Sequence, residues 1–205
     1  MSGIVGQNTL DNSGLIKSPA GGGAWNFIKK LTADGSSGTL SFVDGASDVD
    51  LSTYKEYVFT FNNIHPETDQ GDLTFNGSID SGSNYNVTKT TTSFEGYNIH
   101  VANAAYNTTT DLAESTDFQM LSNGLGNNND NNCGGYLHLF NPSSTTFVKH
   151  FICTTSHNYR VAVPGEINNN IAGYFNTTSA VDAIQFKMEA DNMDAGDICL
   201  YGISS

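Results

Sequence analysis

From residue 25 onward, apolar and polar residues alternate with a period of two, the spacing that puts successive side chains on opposite faces of a strand. The first such segments are 25–31 and 39–43, with Asp34-Gly35-Ser36-Ser37-Gly38 as the turn between them. The strongest alternation lies in 54–64, where Tyr57, Phe59 and Phe61 share a face, and it predicts a central, well-packed strand closed by His65-Pro66. Further strands are predicted at 73–79, 85–91, 97–101, 135–140, 146–155, 159–163 and 171–175, and 118–121 runs directly into an Asn-rich stretch. Residues 109–114 read as one helical turn capped by Thr110 or Asp111, and the Asn-dense run 124–132 as a surface loop. The final stretch, 183–204, holds Ile184, Phe186 and Met188 on one face of a first segment. Ile198, Leu200 and Gly202 alternate with Cys199, Tyr201 and Ile203 in a second. With Asp191-Asn192-Met193-Asp194-Ala195-Gly196 between them, the two segments are expected to form a hairpin with both apolar sets in the core.

About eleven or twelve short strands with turn signals between them, and no alternating helices or internal repeat, predict an all-β protein. The expected architecture is an antiparallel β-sandwich or jelly roll over residues 25–205. Residues 1–24 differ. Two apolar clusters, one with Ile4, Val5 and Leu10 and one with Leu15 and Ile16, stand among Gly, Asn and Ser before Pro19 and Gly21-Gly22-Gly23. A disordered terminus is one reading. Disordered tails are kept unfolded by low hydrophobicity, however, so these apolar pairs favour an extended N-terminal attachment arm that orders on a partner subunit.

Charge narrows the partners. Asp and Glu number 21 against 8 Lys and Arg, a net charge of −13, which opposes binding to nucleic-acid phosphates or to anionic membranes. No apolar run approaches the ~18 residues of a membrane span, and the N-terminus lacks the basic and apolar regions of a signal peptide. Cys133, Cys153 and Cys199 are odd in number and widely spaced, so buried thiols in a reducing cytoplasm are expected, not disulfides or a zinc site.

Candidate chemistry is sparse. His65, His100, His138, His150 and His157 show no metal-type spacing, and no GxSxG elbow or phosphate-binding Gly loop occurs. Glu56 and Glu189 stand beside lysines on expected outer faces. The carboxylate pair of a glycan hydrolase is not evident. Asp44, Asp48 and Asp50, and separately Asp191 and Asp194, are weak calcium candidates that read better as solvated turns. No catalytic residue, metal or cofactor is therefore expected. Tyrosines near strand ends, Tyr85, Tyr97 and Tyr136 among them, could stack on sugars, although capping the core is the commoner role for such residues.

The opening SGIVGQN and NSGLIK, the strand STYKEYVFTFNNIHPET, the turn DSGSNYN and the ending AIQFKMEADNMDAGDICLYGI together resemble virion structural proteins of marine tailed bacteriophages, cyanophages among them. The resemblance implies a non-enzymatic particle component, made in the bacterial host cytoplasm and located in the virion. It further implies a capsid decoration (cement) protein whose arm residues Ile4, Val5, Leu10, Leu15 and Ile16 bind the major capsid protein or other virion subunits. Homo-oligomerisation is expected, with a trimer implied by the family type. The alternative is a carbohydrate-binding module of a tail fibre, using Tyr85, Tyr97 and Tyr136 and the Asn-rich loop to recognise host glycans.

Overall fold

The computed structural model describes residues 24–36, 38–98, 104–107, 109–159 and 165–204, with the side chains of 104–107 excepted. Twelve strands are found among them. They are β1 (Trp25–Thr32), β2 (Thr39–Val43), β3 (Glu56–Pro66), β4 (Leu73–Ser78), β5 (Lys89–Asn98), β6 (Ala104–Asn107), β7 (Gln119–Met120), β8 (Cys133–Phe140), β9 (Lys149–Asn158), β10 (Glu166–Phe175), β11 (Ala183–Met188) and β12 (Met193–Ile203). They build two sheets, one of eight strands in the order β1-β12-β3-β8-β9-β10-β5-β6 and one of four in the order β2-β11-β4-β7. Every strand pairing is antiparallel. The protein is an all-β sandwich.

The core lies where the small sheet covers the centre of the large one. Tyr57, Phe59 and Phe61 of β3 point into it, as their alternation predicts. Phe186 of β11 meets them from the small sheet, with ring centroids 5.3 Å from Phe59 and 5.3 Å from Phe61, and 6.3 Å and 6.2 Å from Phe42 and Phe75. Each of these side chains is buried, and removing one such ring from water stabilises the fold by roughly 1.5–3 kcal/mol. Cys133, Cys153 and Cys199 are free, buried thiols. Burial pushes Cys133 up to about 12, so it is an inert packing group.

Three of the sequence expectations are corrected. The last two strands are not a hairpin: β11 pairs with β2 and β4 in the small sheet, whereas β12 pairs with β1 and β3 in the large one. The polar turn between them carries the chain from one sheet to the other. It is fastened there by Glu189 N–H to Asp72 O at 2.8 Å and by the Asn192 amide to Gly35 O at 3.2 Å and Glu67 Oε2 at 2.9 Å. Alternation fixes which face of a strand is apolar but not which strand lies beside it, and Ile184, Phe186, Ile198 and Leu200 are all buried as expected. Residues 109–114 form no helical turn. Instead Asp111 accepts from Ser93 N–H at 2.6 Å and Leu112 N–H donates to Thr91 Oγ1 at 2.9 Å, so the segment covers the inner face of β5. The strand expected at 85–91 begins only at Lys89 and runs through Asn98, absorbing the start of the strand expected at 97–101.

Two buried polar groups of residues lie toward opposite ends of the interior. Lys89, Phe175 and Lys149 are successive register partners. The Lys89 ammonium donates to Val87 O and Asp117 O, and the Lys149 ammonium to Thr177 O at 3.2 Å and Ser179 O at 2.5 Å. Burial lowers Lys89 to about 8, with the Asp117 charge opposing. Farther along the same strands, Glu95, Asn169 and Thr155 are in register, and the Asn123 amide donates to both Glu95 oxygens at 3.2 and 3.1 Å. The His157 Nε2–H donates to Asn123 O at 3.0 Å, which leaves Nδ1 to accept from Asn169 Nδ2 at 3.4 Å. Both groups pin loops onto the sandwich, since a buried polar group without a partner is costly.

Candidate functional site

Eight strands against four leave the large sheet with an outer face turned to solvent. One row across it runs Phe27, Tyr201, Val58, His138, Ile152, Ala172 and Thr92, each in register with the next. The cause is local. β8 carries bulky side chains on both faces, Leu137 and Leu139 inward and the rings of Tyr136, His138 and Phe140 outward. β1 likewise turns Trp25 and Phe27 outward. Trp25 and Phe27 stand edge-on to Tyr201, with centroids 5.4 and 5.7 Å away and planes at 61° and 69°, and Tyr136 stands at 82° to His138. Beside this ridge, over Ala172 and Gly173, lies a depression of about 510 Å³ walled by Phe140, His150, Ile152 and Tyr174.

Carboxylates on this face are held by neighbours. Glu56 receives His138 Nδ1–H at 2.5 Å. Asp197 accepts from Thr32 Oγ1 at 2.5 Å and from Lys30 Nζ at 3.1 Å, and these two partners, the Thr32 hydroxyl foremost, hold it below the usual carboxylate range.

A second feature is a polar cleft of about 480 Å³ at one end of the sandwich, lined by Asn63, His65, Asn129, Asn131, Asn132, Asp194 and Ala195. Irregular pairing makes it. The β3–β8 register shifts between Phe61 and Ile64, and the β12–β3 register shifts on both sides of Ala195. Asn63 adopts φ 53° and Gly196 φ 115°, turning His65 toward Asp194. The His65 Nδ1–H donates to Asp194 Oδ1 at 2.6 Å, and Nε2 faces Asn128 O at 3.1 Å from the Asn-rich loop. Amides, an imidazole and a carboxylate line it, so the cleft offers hydrogen bonds to a polyhydroxy ligand.

The tyrosines singled out in the sequence are dispersed. Tyr136 stands on the outer face of the large sheet. Tyr85 lines a separate hollow of about 400 Å³ with Thr74, Phe118 and Lys187 beside the small sheet. Tyr97, near the end of β5, is in register with Ile167 and Ala105. The arm residues Ile4, Val5, Leu10, Leu15 and Ile16 lie outside the described residues, as does His100.

The acidic loops are turns. Asp44 accepts from Leu51 N–H at 2.8 Å, and Asp50 from Ser52 N–H at 2.8 Å and Thr53 N–H at 3.0 Å. Among the described residues, no group of three or more His, Cys, Asp and Glu is placed to hold a metal ion, and no helix is long and apolar enough to cross a membrane.

Sequence reasoning missed the outer face, although the bulky side chains on both faces of β8 were a readable signal. It also missed the His65–Asp194 pair, whose members are 129 residues apart and give no local sign of meeting. Comparison of the chain with protein-family profiles, with curated proteins and with solved structures finds no match.

Proposed function

We propose that this chain is a non-enzymatic structural protein of a tailed-phage particle, a decoration subunit fastened to the capsid through residues 1–24. The observation that carries the reading is the place of β1. Among the described residues it is an edge strand paired with β12, and Trp25 is its first residue. The described sandwich therefore begins at a sheet edge. In this reading Ile4, Val5, Leu10, Leu15 and Ile16 are the anchors on a capsid subunit, and backbone pairing to an exposed sheet edge would supply the attachment. A chain of net charge −13 keeps neighbouring particles apart in solution.

Deleting residues 1–20 is expected to leave a folded β-domain, with its circular dichroism and melting transition kept, that no longer co-sediments with particles. Undiminished particle binding by the truncated chain would sink the proposal.

The polar cleft favours a second reading, a module that binds host-surface glycans. In that case the ligand-binding residues are His65, Asp194 and the Asn-rich loop, and not the dispersed tyrosines Tyr85, Tyr97 and Tyr136. Glycan-array binding that disappears in Asp194→Ala would support it, and an array with no binding by the intact chain would retire it.

A further inference from the structure

We propose that the outer face of the eight-stranded sheet is a homotypic interface on which a second copy of this chain packs face to face. The two-fold axis would run along the strands between β3 and β8. This goes beyond attachment through the N-terminal arm and concerns a different surface.

Size is the first argument. Across that axis six strands of each copy, β1, β12, β3, β8, β9 and β10, face one another; at ~4.8 Å each they make the shared face ~29 Å wide, and three outward rows of side chains ~7 Å apart make it ~20 Å tall, giving ~580 Å² per copy. Two copies would bury ~1,150 Å², at the small end of specific complexes, where association is weak and concentration-dependent. Charge is the second. Two molecules that each carry −13 repel, so they can meet only where carboxylates are few and held; on this face Asp197 is paired with Lys30, Glu56 is hydrogen-bonded to His138 and Glu166 to Ser156. Exposed apolar residues are concentrated on the same face, Trp25 at 51 %, Phe27 at 61 % and Ile152 at 49 %.

Shape selects a second copy. An isologous interface requires that what projects from one half of the face fit what is hollow in the other. In strand order β1 and β10 lie equally far to either side of the β3–β8 line, so the axis sets β1 of one copy over β10 of the other. Rows are preserved by this rotation. Phe27 shares its row with Ala172, and the row of Trp25 and Ile203 continues through Glu56 and Phe140. The exposed Phe27 ring of each copy thus comes down over Ala172, the small residue at the floor of the depression. A flat sugar ring fits less well, because neighbouring rings stand at 61°, 69° and 82° to one another and offer edges instead of a common plane.

Sedimentation velocity of the full chain from about 1 to 100 µM, with reductant present, reads the association. The wild type is expected to reach about twice the 21.9 kDa chain mass. Phe27→Glu and Ala172→Glu should each weaken the dimer at least about 30-fold, as loss of an interface hot spot does. Combining Phe27→Lys with Ala172→Glu should restore it to within about tenfold, because the two-fold axis brings each new ammonium against a new carboxylate of the other copy. Ile152→Ser, a milder change at an exposed site, with unchanged circular dichroism, guards against misfolding and should also weaken the dimer. A monomer at 100 µM overturns the proposal, whether its face proves to bind a neutral polysaccharide or residues 1–23 of its own chain. So does a trimer, an oligomer indifferent to all four changes, or a loss that the double variant does not repair. No particle enters this test, so its failure and that of the arm reading are separable.

Discussion

Asp72 and His157 lie close to the same loop, residues 121–125, and push stability in opposite directions with pH. Burial raises Asp72 from 3.8 to about 6, and the Gly124 N–H at 2.5 Å only partly offsets it. Because the folded form holds this proton more tightly, its contribution is complete below about pH 4 and is lost as pH rises to 6, a difference of about 3 kcal/mol at most. Burial lowers His157 from 6.5, with the Asn123 carbonyl opposing, so its contribution is complete above pH 6.5 and is lost as pH falls below it. Between pH 4.5 and 6.5 the two slopes offset one another in the wild type. Asp72→Asn removes the first and leaves the second. Its melting temperature, followed by calorimetry, should therefore climb with pH across that window more steeply than the wild type's. Equal slopes would show that Asp72 titrates as an ordinary carboxylate.

Among the elements, β3 and β12 depend on one irregular crossing. A side-chain carbon at Gly196 would lie 2.7 Å from both Asn63 O and Ile64 Cα, on a backbone with φ +115°. Gly196→Ala should cost about 2–3 kcal/mol in urea unfolding and open the His65–Asp194 pair, whereas Asn63→Gly, which relieves a left-handed residue, should stay within about 1 kcal/mol. An unaffected Gly196→Ala variant would mean that the two strands slide past each other easily.

The same elements show how much was legible beforehand. The inward face of β3 follows from its alternation, and so do the buried residues of β11 and β12, because a period of two fixes the face of a strand. Neighbour and sheet are set by contacts far apart in the chain, which is why two apparently successive strands belong to different sheets. The cleft was hidden for the same reason, its imidazole and carboxylate being joined only by the register shifts. Lys89 and Lys149 read as polar positions, and nothing in their neighbours in sequence announces the loop carbonyls that make burial tolerable.

For the molecule as a whole, the unequal sheets separate three surfaces. The arm would leave from one edge of the large sheet, the cleft opens at one end of the sandwich, and the apolar outer face lies across the strands. A decoration subunit could hold a shell, a neighbour and a ligand at the same time without any of them competing.

The pairing of β1 with β12 has a mechanical side. Trp25 is paired with Ile203, and Ser204 N–H donates to Ala24 O at 2.9 Å, so both strands present their outer ends at the same place. Tension drawn through the N-terminal segment along β1 would load the whole ladder in shear, all its hydrogen bonds sharing the force. Tension between residues 24 and 204 would instead unzip that ladder one pair at a time, beginning at Trp25. A tether at the N-terminal side alone is thus the stronger way to hang this domain on a surface, provided that the pull runs along the strand.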